Sequence, residues 1–208
     1  MSLPDTNVSE SMVTRENLTA VILSGGQGSR LGGIDKGLMT VNGIAVVRRL
    51  QKLFEPLCKE VMISANRHLQ TYRLSGCQII TDEYRDYQGP VSGIAAIAPH
   101  IQTPYLLVCP CDLAGMVPAV YRKLISVYDG ETAVMASTEK ILQPLVFIAS
   151  REDALSAAGW FEKGIRSARG WHEKLGTRSS DLGAYSHAFE NINTAEKLKL
   201  LPLQQHLK

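Results

Sequence analysis

A glycine-rich loop that carries two cations stands near the start of the chain. Six of the seventeen glycines fall within residues 23–38, LSGGQGSRLGGIDKGL, which also hold Arg30 and Lys36. Glycines let successive backbone N–H groups approach an anion closely. Arg30 offers a planar fork to phosphate oxygens, and Lys36 adds a point charge. The pattern indicates a phosphate site, and a tight surface turn is the alternative.

This loop fits neither of the two best-known glycine signatures. The dinucleotide pattern G-x-G-x-x-G would need a glycine where Leu31 stands. The P-loop requires Gly before its lysine and Ser or Thr after it, whereas Lys36 follows Asp35 and precedes Gly37. The loop is therefore predicted to bind a nucleotide phosphate in a different way.

Asp112 is the second residue whose position suggests chemistry. It comes shortly after the apolar run of residues 105–109. A carboxylate just past a buried strand lies at the edge of an α/β sheet where ligands bind. There a single aspartate can hold Mg²⁺ while phosphates and water complete the octahedron. From position alone, a turn or a helix cap is an equal alternative.

Three further residues follow or border predicted strands. Asn66 follows residues 61–65, Asp82 follows residues 78–81, and Gly89 begins the segment GPVSG. An amide can bond a base or a ribose, and a carboxylate can accept from a guanine edge or from ribose hydroxyls. Small residues around Gly89 would let the backbone reach a base. An Asx-turn at Asn66 and a helix-opening turn at Gly89 are the alternatives.

Apolar, β-branched runs alternate with helix-like stretches, which predicts an α/β domain with a largely parallel sheet covered on both faces. The predicted strands are residues 18–23, 61–65, 78–81, 105–109, 132–136 and 144–149, and the helices are 44–54, 91–101 and 118–128. Two helices (152–162 and 164–175), a late strand (185–192) and a final helix from Thr194 are predicted to follow. Residues 1–17 are predicted to be a flexible extension, and residues 18–208 a single domain.

The composition excludes several classes of protein. A net charge of +2 gives no support for broad binding to nucleic acid or a membrane surface. No apolar run approaches the roughly 18–20 residues that span a bilayer, and the first seventeen residues lack a signal's apolar region. We therefore expect a cytoplasmic protein whose four cysteines are reduced, buried thiols. The C-x-C of Cys109 and Cys111 lacks a second ligand pair for zinc.

The glycine-rich loop resembles the N-terminal signature of the molybdenum cofactor guanylyltransferases, the MobA family, L-x-G-G-x-x-x-R-[ML]-G-x-D-K. Related cytidylyltransferases tend to carry Ala where this chain has Gly25, and Ser24 replaces the family's frequent Ala. The resemblance implies a GT-A-like fold, a three-layer α/β/α Rossmann-like sandwich with a mostly parallel mixed sheet, as in nucleotide-diphospho-sugar transferases. It also implies catalytic roles for Arg30 and Lys36 and nucleotide contacts for Leu23, Ser24, Gly25, Gly26 and Lys36.

Later segments extend the resemblance over nearly the whole chain after residue 17. Cys111-Asp112 is similar to the family's metal-binding Cys-Asp, which would make Asp112 a catalytic, metal and nucleotide residue, although Leu113-Ala114 departs from the C-D-x-P pattern. Asn66, Asp82 and Gly89 resemble its nucleotide contacts. Segments 164–167 and 191–194 resemble its G-x-R-S and N-[VI]-N-T motifs and imply an acceptor site of Arg166, Ser167, Asn191 and Asn193. A solvated helix face for Arg166 and a helix cap at Asn193 are the alternatives.

The activity that this resemblance implies is transfer of GMP from GTP to the phosphate of the molybdopterin cofactor, with Mg²⁺ or Mn²⁺ and release of pyrophosphate. Proteins that deliver the cofactor, or chaperones of molybdoenzymes, are the implied partners. Three alternatives stay open: a cytidylyltransferase acting on molybdopterin, a sugar-phosphate nucleotidyltransferase, and a partner protein that binds GTP without catalysis.

Overall fold

The computed structural model describes residues 12–24, 35–82 and 89–191. Nine strands form within these ranges: β1 Leu18–Leu23, β2 Thr40–Val41, β3 Ile44–Ala45, β4 Glu60–Ser64, β5 Gln78–Ile80, β6 Tyr105–Pro110, β7 Val134–Thr138, β8 Ile141–Ser150 and β9 Arg178–Asp181. The α-helices of the same ranges are α1 Val46–Phe54, α2 Leu69–Arg73, α3 Pro90–Ile97, α4 Pro118–Val127, α5 Arg151–Glu162 and α6 Ala168–Leu175.

Seven of these strands form one mixed sheet in the order β5-β4-β1-β6-β8-β7-β9, and β2 and β3 form a separate hairpin. Strands β5, β4, β1 and β6 run parallel to one another. Strand β8 runs antiparallel to β6 and β7, and β9 pairs with β7 in parallel. The predicted mostly parallel mixed sheet is therefore confirmed.

Helices cover both faces of the sheet. One apolar core contains buried side chains of α1 and α4, and the other contains those of α3, α5 and α6. All six residues of β1 are buried, because a central strand covered on two sides has no solvated face. This arrangement is the predicted three-layer α/β/α sandwich.

The register aligns the carboxyl ends of the central strands. Leu23 at the end of β1 pairs with Ser64 of β4 and with Pro110 of β6. The ladder continues past these ends, since Ser24 N donates to the Ser64 carbonyl at 2.7 Å and Cys111 N donates to the Leu23 carbonyl at 3.0 Å. Side chains that follow β1, β4 and β6 must therefore meet at one edge of the sheet.

The predicted late strand at residues 185–192 is wrong. Residues Gly183–Phe189 form 3₁₀ turns, and the late strand is β9, which begins seven residues earlier in the chain than expected. β9 reads Arg-Ser-Ser-Asp and lies at the edge of the sheet, largely exposed, so no apolar pattern marks it. The predicted final helix from Thr194 lies outside the described residues.

Several other predicted boundaries shift. The first predicted helix begins at Val46 instead of residue 44, because Ile44–Ala45 pairs with β2. The helix predicted from residue 164 begins only at Ala168, after Ser167 caps it by accepting from Gly170 N. Residues 12–17 were predicted to be extension, yet Val13 is buried in the core and Arg15–Asn17 forms a 3₁₀ turn.

A buried histidine supports an irregular part of the sheet. The register between β7 and β8 shifts between Met135 and Ala136, and the extra β8 residues include Pro144. His172 of α6 is 1% exposed, and its Nε2 lies 2.9 Å from the Pro144 carbonyl oxygen. Its Nδ1 lies 2.9 Å from the Thr177 hydroxyl. The neutral imidazole thus bridges the bulged strand and the residues that lead into β9.

His172 should make the protein less stable in mild acid. Burial lowers the pKa of His172 from 6.5 to about 4, so below pH 6.5 the unfolded chain takes up a proton that the folded chain refuses. The free energy of unfolding therefore falls as the pH drops from 6.5 toward 4, by roughly 3 kcal/mol from this group. Urea titrations at pH 7 and pH 5 should show a smaller pH dependence for His172→Gln than for the wild type. The matched control is His100→Gln, which alters an exposed histidine; equal pH dependence in all three proteins would refute the assignment.

Within the parts of the chain that the structure describes, no helix has both the length and the apolar character needed to cross a membrane.

Candidate active site

The carboxyl ends of β5, β4, β1 and β6 bring the predicted nucleotide and metal residues to one edge of the sheet. Leu23 and Ser24 end β1, Asn66 follows β4, and Asp82 follows β5. Asp112 follows β6 and lies next to the end of β1 through the Cys111–Leu23 hydrogen bond. These side chains are separated by up to about ninety positions in the sequence, and the parallel register alone brings them together.

Lys36 and Asp112 form an ion pair at this edge. Lys36 Nζ lies 3.5 Å from Asp112 Oδ2, and the two side chains are 26% and 30% exposed. A pair this exposed contributes only about 0–1 kcal/mol to stability. Both groups are restrained and yet accessible, so each can exchange this contact for an anion or a cation brought by a ligand.

Asp35 organises the turn that carries Lys36. Its side chain is only 7% exposed. One carboxylate oxygen accepts from Gly37 N at 3.1 Å and from the Tyr72 hydroxyl at 2.6 Å, and the other lies 3.0 Å from His68 Nδ1. Burial, followed by the hydrogen bond to Asp35, raises the pKa of Tyr72 far above its ordinary value, so the hydroxyl keeps its proton and donates.

Tyr72 and His68 were both absent from the site predicted from the sequence. The sequence contained one indication of this cluster, because Asp35 stands where its carboxylate can cap the turn that follows it. His68 has a left-handed backbone, with φ of 49°, at the start of α2. This conformation is uncommon for a residue other than glycine and is often found at functional sites.

A second hydrogen-bonded group surrounds Asp82. Its backbone N–H donates to Asn66 Oδ1 at 2.8 Å, and the Ser92 hydroxyl donates to Asp82 Oδ2. The same hydroxyl lies 2.7 Å from the Gly89 carbonyl oxygen. The ends of β4 and β5 and the start of α3 are thereby joined, and Ser92 is a residue that the sequence analysis did not assign to the site.

Gly89 is enclosed by the segment that was predicted to bind the acceptor. Its φ is 97°, and a Cβ placed there would lie 2.5 Å from the Arg166 carbonyl oxygen. No side chain fits this position without moving backbone. The predicted nucleotide loop and the predicted acceptor segment are therefore in direct contact.

Gly89→Ala should cost more stability than the same change at Gly164. Both glycines have φ above 90°, but a Cβ at Gly164 meets nothing within 4 Å. The backbone strain of about 1–3 kcal/mol is common to both variants, so the difference isolates the contact with Arg166. We expect Gly89→Ala to lose at least about 1 kcal/mol more in urea unfolding. Equal losses in the two variants would show that the loop does not press on Arg166.

The acceptor residues are only partly described. The Arg166 guanidinium donates to the Phe161 carbonyl oxygen, and its Cζ lies 3.8 Å from the centre of the Phe161 ring. Ser167 caps α6, and Asn191 is exposed at the last described position. Arg166 precedes α6, so the helix-face alternative is wrong for it. Gly25, Gly26, Arg30 and Asn193 lie outside the described residues, and their roles stay predictions.

The cysteines beside Asp112 are neutral thiols. Burial raises the pKa of Cys111 to about 12 and raises that of Cys109 further. All four cysteines of the chain are free. The thiolate form that binds metals is therefore disfavoured at neutral pH.

Among the described residues, Asp112 is the candidate ligand for a divalent cation at this edge of the sheet. Within residues 12–24, 35–82 and 89–191, no three His, Cys, Asp or Glu side chains form a group that could hold a metal. Asp112 is partly exposed at the end of β6. A single oxygen ligand of this kind fits a hard cation such as Mg²⁺ that arrives with a nucleotide, whose phosphates and water fill the remaining positions.

Comparisons with known proteins agree with this arrangement. Residues 20–177 match the family described as MobA-like NTP transferase domain. A molybdenum cofactor guanylyltransferase of Shewanella sp. (strain MR-4) is 33% identical over 187 residues, which cover 88% of this chain and 94% of that protein.

Two solved structures share the fold at low sequence identity. The molybdopterin-guanine dinucleotide biosynthesis protein A of Archaeoglobus fulgidus has a TM-score of 0.69 at 21% identity, and 86% of this chain and 94% of that one are covered. The 4-diphosphocytidyl-2C-methyl-D-erythritol synthase of Anaerococcus prevotii has a TM-score of 0.68 at 9% identity, with coverage of 88% and 93%.

Proposed function

Because the chain belongs to the family of MobA-like NTP transferases, we propose that it transfers GMP from GTP to the phosphate of the molybdopterin cofactor, with pyrophosphate as the second product. The protein is an enzyme, a nucleotidyltransferase; the nucleotide, the acceptor and the metal are the proposed parts. The observation that carries the proposal is the Lys36–Asp112 pair, 3.5 Å apart at the carboxyl end of β1 and β6. It sets a cation beside a carboxylate that could hold a divalent metal, which are the two charges that would bind a nucleotide triphosphate with its metal ion.

In the proposed reaction, an oxygen of the acceptor phosphate attacks the α-phosphorus of GTP, and the bond from that phosphorus to the pyrophosphate oxygen breaks. The acceptor oxygen is already ionised near neutral pH, so no strong general base is needed. Catalysis of this step depends mainly on positioning and on neutralising charge. Lys36 is proposed to bind the departing phosphate oxygens from its position beside Asp112, and Arg30 is proposed to assist it.

Asp112 would hold the divalent cation, Mg²⁺ or Mn²⁺, which supplies positive charge to the phosphate oxygens. Ser24 and the residues after it follow β1, where backbone N–H groups can face the phosphates. Asn66, Asp82 and Gly89 are proposed to receive the nucleoside, because their side chains and backbone meet at the ends of β4 and β5. Ser92 holds Asp82 and restricts the directions from which its carboxylate can accept hydrogen bonds.

The acceptor is proposed to approach from the segment of Arg166 and Ser167, with Asn191 and Asn193 nearby in the motif. Gly89 supports this placement, because its contact with the Arg166 backbone puts this segment beside the nucleoside residues. A guanidinium has five N–H donors, so binding the acceptor phosphate does not by itself require Arg166 to leave the Phe161 carbonyl oxygen.

The test is a pyrophosphate-release assay with purified molybdopterin cofactor and each of GTP, CTP, ATP and UTP. GTP should give a kcat/KM at least about a hundredfold above that of the others, because a pyrimidine or adenine leaves buried polar groups unpaired. Preference for CTP would replace the proposal with cytidylyl transfer. Release only with a sugar phosphate as acceptor would identify a sugar-phosphate nucleotidyltransferase. Tight GTP binding without release would identify a binding protein.

A further inference from the structure

We propose that Tyr72 is a positioning residue that acts through Asp35 to hold Lys36 at its working distance from Asp112. This inference rests on the proposed function for the role of Lys36, but the mechanical link from Tyr72 to Lys36 is independent of the substrate. Asp35, His68 and Tyr72 form a polar cluster in which Asp35 and Tyr72 are buried and His68 is half exposed.

Asp35 closes the turn that carries Lys36. Lys36 is the first residue of the 3₁₀ turn Lys36–Leu38, and the Asp35 carboxylate closes this turn by accepting from Gly37 N at 3.1 Å. The Lys36 side chain reaches Asp112 from this turn. Rotation of the Asp35 carboxylate would break its bond to Gly37 N and loosen the turn from which the Lys36 side chain extends.

Tyr72 and His68 anchor the Asp35 carboxylate. Tyr72 is fully buried, and its hydroxyl donates to the same Asp35 oxygen that closes the turn, at 2.6 Å. Hydrogen bonds to an ionised acceptor are stronger than those between neutral groups. His68 Nδ1 lies 3.0 Å from the other oxygen, so both carboxylate oxygens are held by one short segment around α2.

Tyr72 also packs closely against the turn Lys36–Leu38. A Cβ on Gly37 would collide with the Tyr72 hydroxyl and would lie 2.9 Å from Ser24 Oγ. The turn is thus pressed between α2 and the end of β1, with no room to shift toward either. The structure of this region limits Lys36 to a narrow set of positions before any ligand binds.

Such a constraint should affect turnover more than nucleotide binding. A lysine that binds charge developing on a leaving group contributes most when it is already in place. A looser turn would still allow Lys36 to reach ground-state phosphates. Tyr72→Phe, which deletes one oxygen atom, should lower kcat about tenfold and change KM for GTP less than about twofold.

The decisive experiment is a double-mutant cycle with Lys36→Met. If Tyr72 acts through Lys36, Tyr72→Phe lowers kcat about tenfold in the wild-type background and less than about twofold in the Lys36→Met background. His68→Gln, which removes the other contact to Asp35, should show the same coupling with a smaller loss. Equal losses from Tyr72→Phe in both backgrounds would overturn the proposal, because they would indicate a general structural role.

The matched control is Tyr121→Phe. Tyr121 is also fully buried, and its hydroxyl donates to the Val108 carbonyl oxygen at 3.1 Å, away from Lys36. Tyr121→Phe should lower the melting temperature about as much as Tyr72→Phe does, and it should leave kcat within about twofold of the wild type. A loss of kcat equal to that of Tyr72→Phe would mean that stability alone explains both.

If the wild-type enzyme shows no turnover with any nucleotide, the proposed function is wrong. The same double-mutant cycle can then be carried out on ligand binding. Calorimetry with magnesium pyrophosphate then replaces kcat. Tyr72→Phe should weaken binding about threefold or more in the wild-type background and not in the Lys36→Met background. Absence of this coupling would overturn the positioning role independently of the reaction.

Discussion

Asp112→Asn should reduce GMP transfer with Mg²⁺ by at least about a thousandfold, because removal of one catalytic metal ligand withdraws several kcal/mol of charge stabilisation. The asparagine keeps the shape of the side chain and loses its charge. Since the Lys36–Asp112 pair is partly exposed, the free energy of unfolding should change by less than about 1 kcal/mol. Steady-state pyrophosphate release across a range of Mg²⁺ concentrations, together with urea unfolding, measures both quantities.

A suitable control for this variant is Asp181→Asn. Asp181 ends the edge strand β9, and its carboxylate accepts from Gly183 N at 3.0 Å. This substitution also removes one negative charge, while the asparagine Oδ1 can still accept from Gly183 N. Because the change lies at the far edge of the sheet, kcat and its Mg²⁺ dependence should match the wild type. If Asp112→Asn retained near-wild-type transfer with an unchanged Mg²⁺ dependence, Asp112 would not be the metal ligand.

Lys36→Met should lower kcat by about a hundredfold to a thousandfold, the usual effect of deleting one group that stabilises transition-state charge. Methionine keeps the length of the side chain and removes its charge. KM for GTP should rise by a smaller factor, since the lysine is expected to bind departing pyrophosphate more strongly than the ground-state triphosphate. Single-turnover kinetics at saturating GTP would separate the chemical step from product release.

Lys163→Met is the matched control for Lys36→Met. Lys163 is exposed, and its Nζ lies 4.7 Å from the centre of the Trp160 ring. Its removal should leave kcat and KM within about twofold of the wild type, because surface substitutions away from special contacts have small effects. Wild-type kinetics from Lys36→Met itself would remove this residue from the site. Lys36→Arg should recover activity only in part, since a planar guanidinium has a different shape and reach.

The central strands were predictable because burial on both faces leaves a continuous apolar pattern in the sequence. Strand β1 has this pattern at every position except Thr19, and β6 has it over all but its last residue. Strand β9 was missed for the opposite reason. Its residues are polar, and β9 exists because Val134 to Ser137 of β7 offer a ladder to pair with. Pairing with a neighbour depends on tertiary contacts and leaves little trace in the local sequence.

The same contrast applies to the candidate site. Asp112, Asn66 and Asp82 were identified from the sequence because each follows an apolar run, and the ends of parallel strands share one edge of a sheet. The Tyr72–Asp35 bond could not be identified in this way. It joins residues 37 positions apart, and neither residue type nor spacing predicts which buried hydroxyl meets which carboxylate.

The amino-acid sequence by itself determined the covered, mostly parallel sheet and the residues proposed to bind phosphate and metal, because burial patterns and side-chain chemistry are local properties. Only the tertiary structure decided how these residues are held. It placed Lys36 beside Asp112, turned Arg166 onto Phe161, and pressed Gly89 against the Arg166 backbone. These contacts arise from close packing between distant segments, where steric fit and the pairing of buried polar groups select one arrangement.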